Sequence, residues 1–176
     1  MKSFKCSVLI GIIFVILTGS LAHFLYNWSE HNYLVGLFTP VNESIWEHMK
    51  LLFFPMLLYS LIIIYQFRES HLCTVSSFCF GMIVGTLLIP FFYYTYTFIL
   101  GKDIFLFDIG IFILSTLISF WLSYKLSLSC KCKPYTRIWI GLVGILIICF
   151  INFTYHPPTQ KIFEDPTISQ NQKTNP

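Results

Sequence analysis

The stretch PVNESIWEHMKLLFFPM, residues 40–56, runs Asn42, Glu43, Ser44, Glu47, His48 and Lys50 straight into an apolar tract. A helix explains that juxtaposition if its polar end meets water and its length enters a bilayer. Composition points the same way. The 176-residue chain is 56% hydrophobic and 11% charged, whereas a soluble domain carries about a quarter charged residues. A soluble protein this small has too little interior to hide so much Phe, Leu and Ile. The expected solvent is lipid.

Working outward, a spanning helix needs roughly 20 mostly apolar residues. Five tracts qualify: 6–27, 49–66, 72–100, 104–127 and 136–155. The expected fold is all-α, a multi-pass transmembrane bundle forming one domain over 1–156, followed by a polar tail over 157–176. Spanning strands are excluded, because the tracts are continuously apolar rather than alternating. Pro55 and Pro90 predict bends, and the last ten residues read as disordered. The N-terminus also imitates a secretory signal ending at Ser20-Leu21-Ala22. Apolar residues continuing through Phe24-Leu25-Tyr26 favour an uncleaved first helix.

The net charge of +3 is modest and no basic run interleaves with aromatics, so nucleic acid is not an expected partner. Cytoplasmic loops collect Lys and Arg. An inner N-terminus puts Lys2, Lys5, Arg68, Lys125, Lys131, Lys133 and Arg137 inside and predicts an outer C-terminus. The cysteines do not read as a disulfide framework. Cys6, Cys73, Cys79 and Cys149 fall in apolar tracts as small hydrophobes, and Cys130-x-Cys132 lacks neighbours for a zinc site. Trp28 and Trp46 at one boundary, and Trp121 and Trp139 at the other, read as interfacial anchors.

With that orientation Glu30, Glu43, Glu47, Asp103, Asp108, Glu164 and Asp165 fall at the outer side, with Glu69 inside. His23, His31, His48 and His156 join the outer set, leaving His71 inside. Part of this is capping. Thr39-Pro40 reads as an N-cap and first helical residue, with Asn42 and Glu43 in the first turns, where the helix dipole favours them. Glu47 and His48 then sit two turns in. Glu47 with Lys50 is either a surface ion pair or part of a site. Asp103 reads as a cap, which leaves Asp108 needing a polar partner. Glu30 and His31 read as solvated. Tyr93, Tyr94 and Tyr96 join the aromatic belt or hydrogen-bond to site carboxylates.

Ionisable groups at membrane depth usually face a bundle interior or wet cavity. The candidate metal ligands are His23, His48, Asp108 and His156, since zinc accepts imidazole nitrogen and carboxylate oxygen. Glu43, Glu47 and Ser44 are the candidate catalytic groups, with Asn42, Glu30 and Tyr94 as binding residues. A divalent metal such as zinc is the candidate cofactor, and the bilayer is the partner. An accessory or structural membrane protein is the leading reading of function. A metal-dependent membrane hydrolase and a small-solute or ion binding or transport module are the alternatives, the last disfavoured by an inner half nearly bare of polar residues.

HFLYNWSEHNYLVGLFTPVNESIWEHMKLLFFPMLLYS (23–60), YYTYTFILGKD with Asp108, and FTYHPPTQKIFEDP together resemble an uncharacterised family of small multi-pass bacterial membrane proteins. The resemblance implies an uncleaved first helix and a bacterial plasma membrane. It implies no activity.

Overall fold

In hydrocarbon, backbone N–H and C=O groups must satisfy one another, so each apolar tract closes into a helix. The computed structural model describes residues 4–67 and 71–166. Its helices are α1 (Phe4–Trp28), the short α2 (Tyr33–Gly36), α3 (Ile45–Gln66), α4 (His71–Leu100), α5 (Phe105–Ser129) and α6 (Thr136–Tyr155). Five of them are long and apolar enough to cross a membrane, and no strand occurs among the described residues. The expected positions of Lys2, Arg68 and Glu69, and the disorder expected at the C-terminus, lie outside those residues. Pro55 and Pro90 sit inside unbroken α3 and α4.

α4 lies at the centre, against α5, α3 and α6, while α1 packs on α3 and α5. Phe53, Met56, Phe78, Met82, Phe120 and Phe150 fill the interior with no exposed surface. The α4–α5 seam is built from small residues. Gly81 and Gly85 face Ser115, Ser119 and Ser123, each fully buried. The Ser119 hydroxyl donates to Gly81 O at 2.7 Å. A Cβ on Gly81 would lie 2.6 Å from Ser119 O. Lipid offers no hydrophobic drive between helices, so close backbone approach of this kind supplies the attraction.

Several expectations are corrected. Thr39 does not cap α3; its hydroxyl donates to Val35 O. The cap is Ser44, whose hydroxyl accepts from Glu47 N at 3.4 Å, so Glu47 lies in the first turn rather than two turns in. Ile104, not Asp103, occupies the N-cap position of α5, and Asp108 falls in that helix's first turn. Cys73 and Cys130 form a disulfide. Cys130 takes a left-handed conformation (φ 51°) at the end of α5, returning the chain to the start of its antiparallel neighbour α4. Trp46 is not an interfacial anchor: it is 9% exposed, packed at a tilt against Phe150 and Phe163 (centroids 4.8 and 4.9 Å). Phe163 belongs to the segment after α6, which therefore folds back over this end of the bundle.

Candidate metal centre

The turn before α3 is pinned at every backbone group that matters. Glu47 Oε2 accepts from Val41 N at 3.0 Å, and Asn42 Oδ1 accepts from Ser44 N at 3.0 Å. Lys50 Nζ donates to Glu47 Oε2 (2.8 Å), Thr154 Oγ1 (2.6 Å) and Gly36 O (3.0 Å). Lys50 and Glu47 are 0% and 2% exposed. The surface alternative for this pair is thus excluded: it is a buried clasp tying the 36–41 segment and α6 to α3. Ser44 is buried too, and its hydroxyl serves the cap.

With Val41 and Ser44 held, the Glu43 side chain projects from the turn between two imidazoles. Glu43 Oε2 lies 3.6 Å from His23 Nε2 and 3.5 Å from His48 Nε2. The two rings meet edge-on with centroids 5.2 Å apart. Gly19, one turn below His23, makes this possible. A Cβ there would lie 2.5 Å from Leu51 O, so only glycine lets α1 approach the α3 backbone so closely. His23 and His48 then face each other about one turn beyond the contact.

The His48 ring is oriented by the backbone. Its Nδ1 lies 2.9 Å from Ser44 O. A carbonyl oxygen only accepts, so Nδ1 is the donor there and Nε2 is the ring nitrogen turned towards Glu43. A ring nitrogen facing a carboxylate oxygen calls for a cation between them, either a proton or a metal ion. The charge pattern agrees. Hydrogen bonding from His23, reinforced by His48, holds the Glu43 carboxyl below the usual carboxylate range, although partial burial opposes it.

His23, Glu43 and His48 place one ligand atom each within 4.8 Å of one another. Two ligands at zinc's bond lengths of about 2.0–2.2 Å in tetrahedral geometry stand roughly 3.4 Å apart, close to the two imidazole–carboxylate separations. Two imidazoles and one carboxylate are a recurrent catalytic zinc set that leaves a position open. The Nδ1–carbonyl contact is the usual outer support of a ligating histidine.

The other sequence candidates are placed as follows. Asp108 is outside this group though within electrostatic range of His48, and its Oδ1 accepts from the Tyr96 hydroxyl at 2.6 Å. Ile104 N donates to the same hydroxyl at 3.2 Å. His156, at the C-cap of α6, is exposed and outside the group. Glu30 and His31 lie exposed in a turn with positive φ. Tyr94 is 40% exposed and meets Tyr93 edge-on; Tyr96 is the tyrosine that bonds Asp108. The second of the two readings of the tyrosines thus holds for Tyr96, and Lys50, read only as a partner of Glu47, also reaches Thr154 and Gly36. The Ser44-Ile45-Trp46-Glu47 spacing, a capping box, was the signal that would have put the helix start in the right place.

Five apolar helices with ionisable side chains gathered at one end define a multi-pass α-helical membrane protein. The chain matches the Family of unknown function (DUF6512) over residues 1–171 and belongs to it. It is also similar to haem A synthase from Ehrlichia canis (strain Jake), with 33% identity over 111 residues covering 58% of this chain and 32% of that protein. Haem A synthase from Ehrlichia ruminantium (strain Gardel) is 32% identical over the same shares. The chain thus spans about a third of the length of these curated relatives. No solved structure matches it.

Proposed function

We propose that this membrane protein holds a divalent metal ion, zinc being the first candidate, on His23, His48 and Glu43, and that the open coordination position serves a hydrolytic reaction at that end of the bundle. The observation that carries the reading is the His48 ring, whose Nδ1 is committed to Ser44 O and whose Nε2 faces Glu43. Zinc held by these three residues would supply an activated water, its pKa lowered to about 7. Asp108, held by Tyr96, is the neighbouring carboxylate left to take the proton. Glu43 and Glu47, the candidate bases from sequence, are occupied as ligand and as ion-pair partner.

The test is metal content of the full chain purified in detergent. About one equivalent is expected, lost in both His48→Ala and Glu43→Gln. A metal-free wild type after zinc supplementation overturns the reading. The haem relatives prompt a haem alternative, which the geometry disfavours. Two axial imidazoles need a porphyrin plane between them, whereas these rings meet edge-on, 5.2 Å apart, with Glu43 against both.

The accessory reading keeps one specific support: Glu43 lies within ion-pair distance of both histidines, enough to clip the turn to α1 without metal. A chelator that leaves thermal stability unchanged, while Glu43→Gln lowers it, would favour that reading. For orientation, the Lys and Arg distribution supports an inner N-terminus and an outer metal centre; the bacterial plasma membrane rests on the family resemblance alone.

A further inference from the structure

An apolar groove of about 490 Å³ runs between α1 and α5, walled by Val8, Ile12, Leu117 and Trp121, with Lys5 and Lys125 at one end. It lies far along both helices from the metal centre, since Lys5 begins α1 and Lys125 is in the last turns of α5. Both lysines are exposed. The described acids fall in segments at the opposite end of the bundle, so this pair faces no acid among the described residues. An apolar trough ending in two cations calls for an occupant with an apolar chain and an anionic head.

We propose that this groove binds one anionic phospholipid, its acyl chain between α1 and α5 and its phosphate between Lys5 and Lys125. Basic pockets between spanning helices recognise anionic headgroups in this way. A free phosphate would leave the walls unused, and a zwitterionic lipid would bring its own cation against the lysines. The volume falls in the range of small-ligand sites, about 300–1,000 Å³. The simpler role for the lysines, snorkelling to the interface as anchors, predicts no preference among lipids.

Native mass spectrometry of the full chain in detergent, with phosphatidylglycerol or phosphatidylcholine added, separates the two. Wild type is expected to retain one phosphatidylglycerol roughly tenfold more tightly than phosphatidylcholine. Lys5→Gln/Lys125→Gln should abolish the preference and Lys5→Arg/Lys125→Arg should keep it. Leu117→Trp, which narrows the groove and leaves both charges, should weaken retention several-fold. Equal retention of both lipids by wild type overturns the proposal, as does a preference surviving in the Gln pair. If the Gln pair does not fold, Leu117→Trp decides: unchanged retention then overturns it.

Discussion

Lys50 carries more of the local architecture than any other ionisable residue, because one ammonium group gathers Gly36 O, Thr154 Oγ1 and Glu47 Oε2 from separate segments. Truncating one member of a buried pair strands the other charge. Lys50→Met should therefore cost about 3–5 kcal/mol, and Lys50→Met/Glu47→Leu markedly less, because it removes both charges. Thermal unfolding in detergent reads both, and equal losses would show that the charge pair is not the source. Glu43 differs, being 46% exposed in its side chain. Its folded-state pKa is depressed, with His23 the leading cause. Its contribution to stability is therefore present above the unfolded value of about 4.3 and is lost as pH falls through the depressed folded value. Glu43→Gln should flatten that acid limb of a stability–pH curve. Under the metal proposal, retention of the ion should fail at higher pH than this, since protons compete for the imidazoles. Zinc retention should drop steeply between about pH 8 and about pH 5.5, and a flat profile would argue against histidine ligation.

At the scale of elements, three close approaches decide where side chains go. Two lie on the α4–α5 seam at Gly81 and Gly85, and the third sets Gly19 of α1 against Leu51 of α3. Gly19→Ala drives a methyl group into a backbone carbonyl, so the helices must part. The expected outcome is about 1–3 kcal/mol of lost stability and a several-fold loss of zinc affinity, because His23 and His48 separate one turn away. Gly141→Ala in α6 is the control. Nothing lies within 4 Å of a Cβ there, and alanine is the better helix former by up to about 1 kcal/mol. It should leave zinc retention unchanged. Similar losses in both variants would mean that α1 is not positioned by its glycine.

For the whole molecule, orientation is the open physical variable with the sharpest test. The Lys and Arg distribution predicts that a reporter fused after Lys131 reads cytoplasm and one fused after Pro166 reads outside. The Cys73–Cys130 pair lies at the end of the bundle assigned to the cytoplasm, where a reducing compartment keeps thiols free. The inner-N-terminus orientation therefore requires this disulfide to be opened in intact cells, with Cys130, at the end of α5, labelling with a permeant maleimide only. A disulfide persisting in cells, together with reporters reading the opposite sides, would invert the molecule and put the metal centre in the cytoplasm.

Spans were legible because a 3.6-residue helix in lipid needs only length and continuous apolarity, both local properties of the chain. The five expected tracts agree with the helices to within a few residues; the largest difference is α3, which starts at Ile45. That start was misread because Thr39-Pro40 and Ser44-Ile45-Trp46-Glu47 are both valid local starts. Ser44 caps the helix where Glu47 serves as both Lys50's counter-ion and Val41's acceptor, two long-range facts. The polar end of the bundle was legible for the same local reason, as charge avoids hydrocarbon. Membership of the His23–Glu43–His48 group was not. His23 and His48 are joined by Glu43 rather than by His156, because Gly19 brings α1 onto α3 while His156 ends α6 facing outward. Sequence alone determined which segments enter the membrane and which residue types collect at one end. Tertiary structure alone decided which of them touch, since contact depends on how closely two backbones approach and how each ring is held.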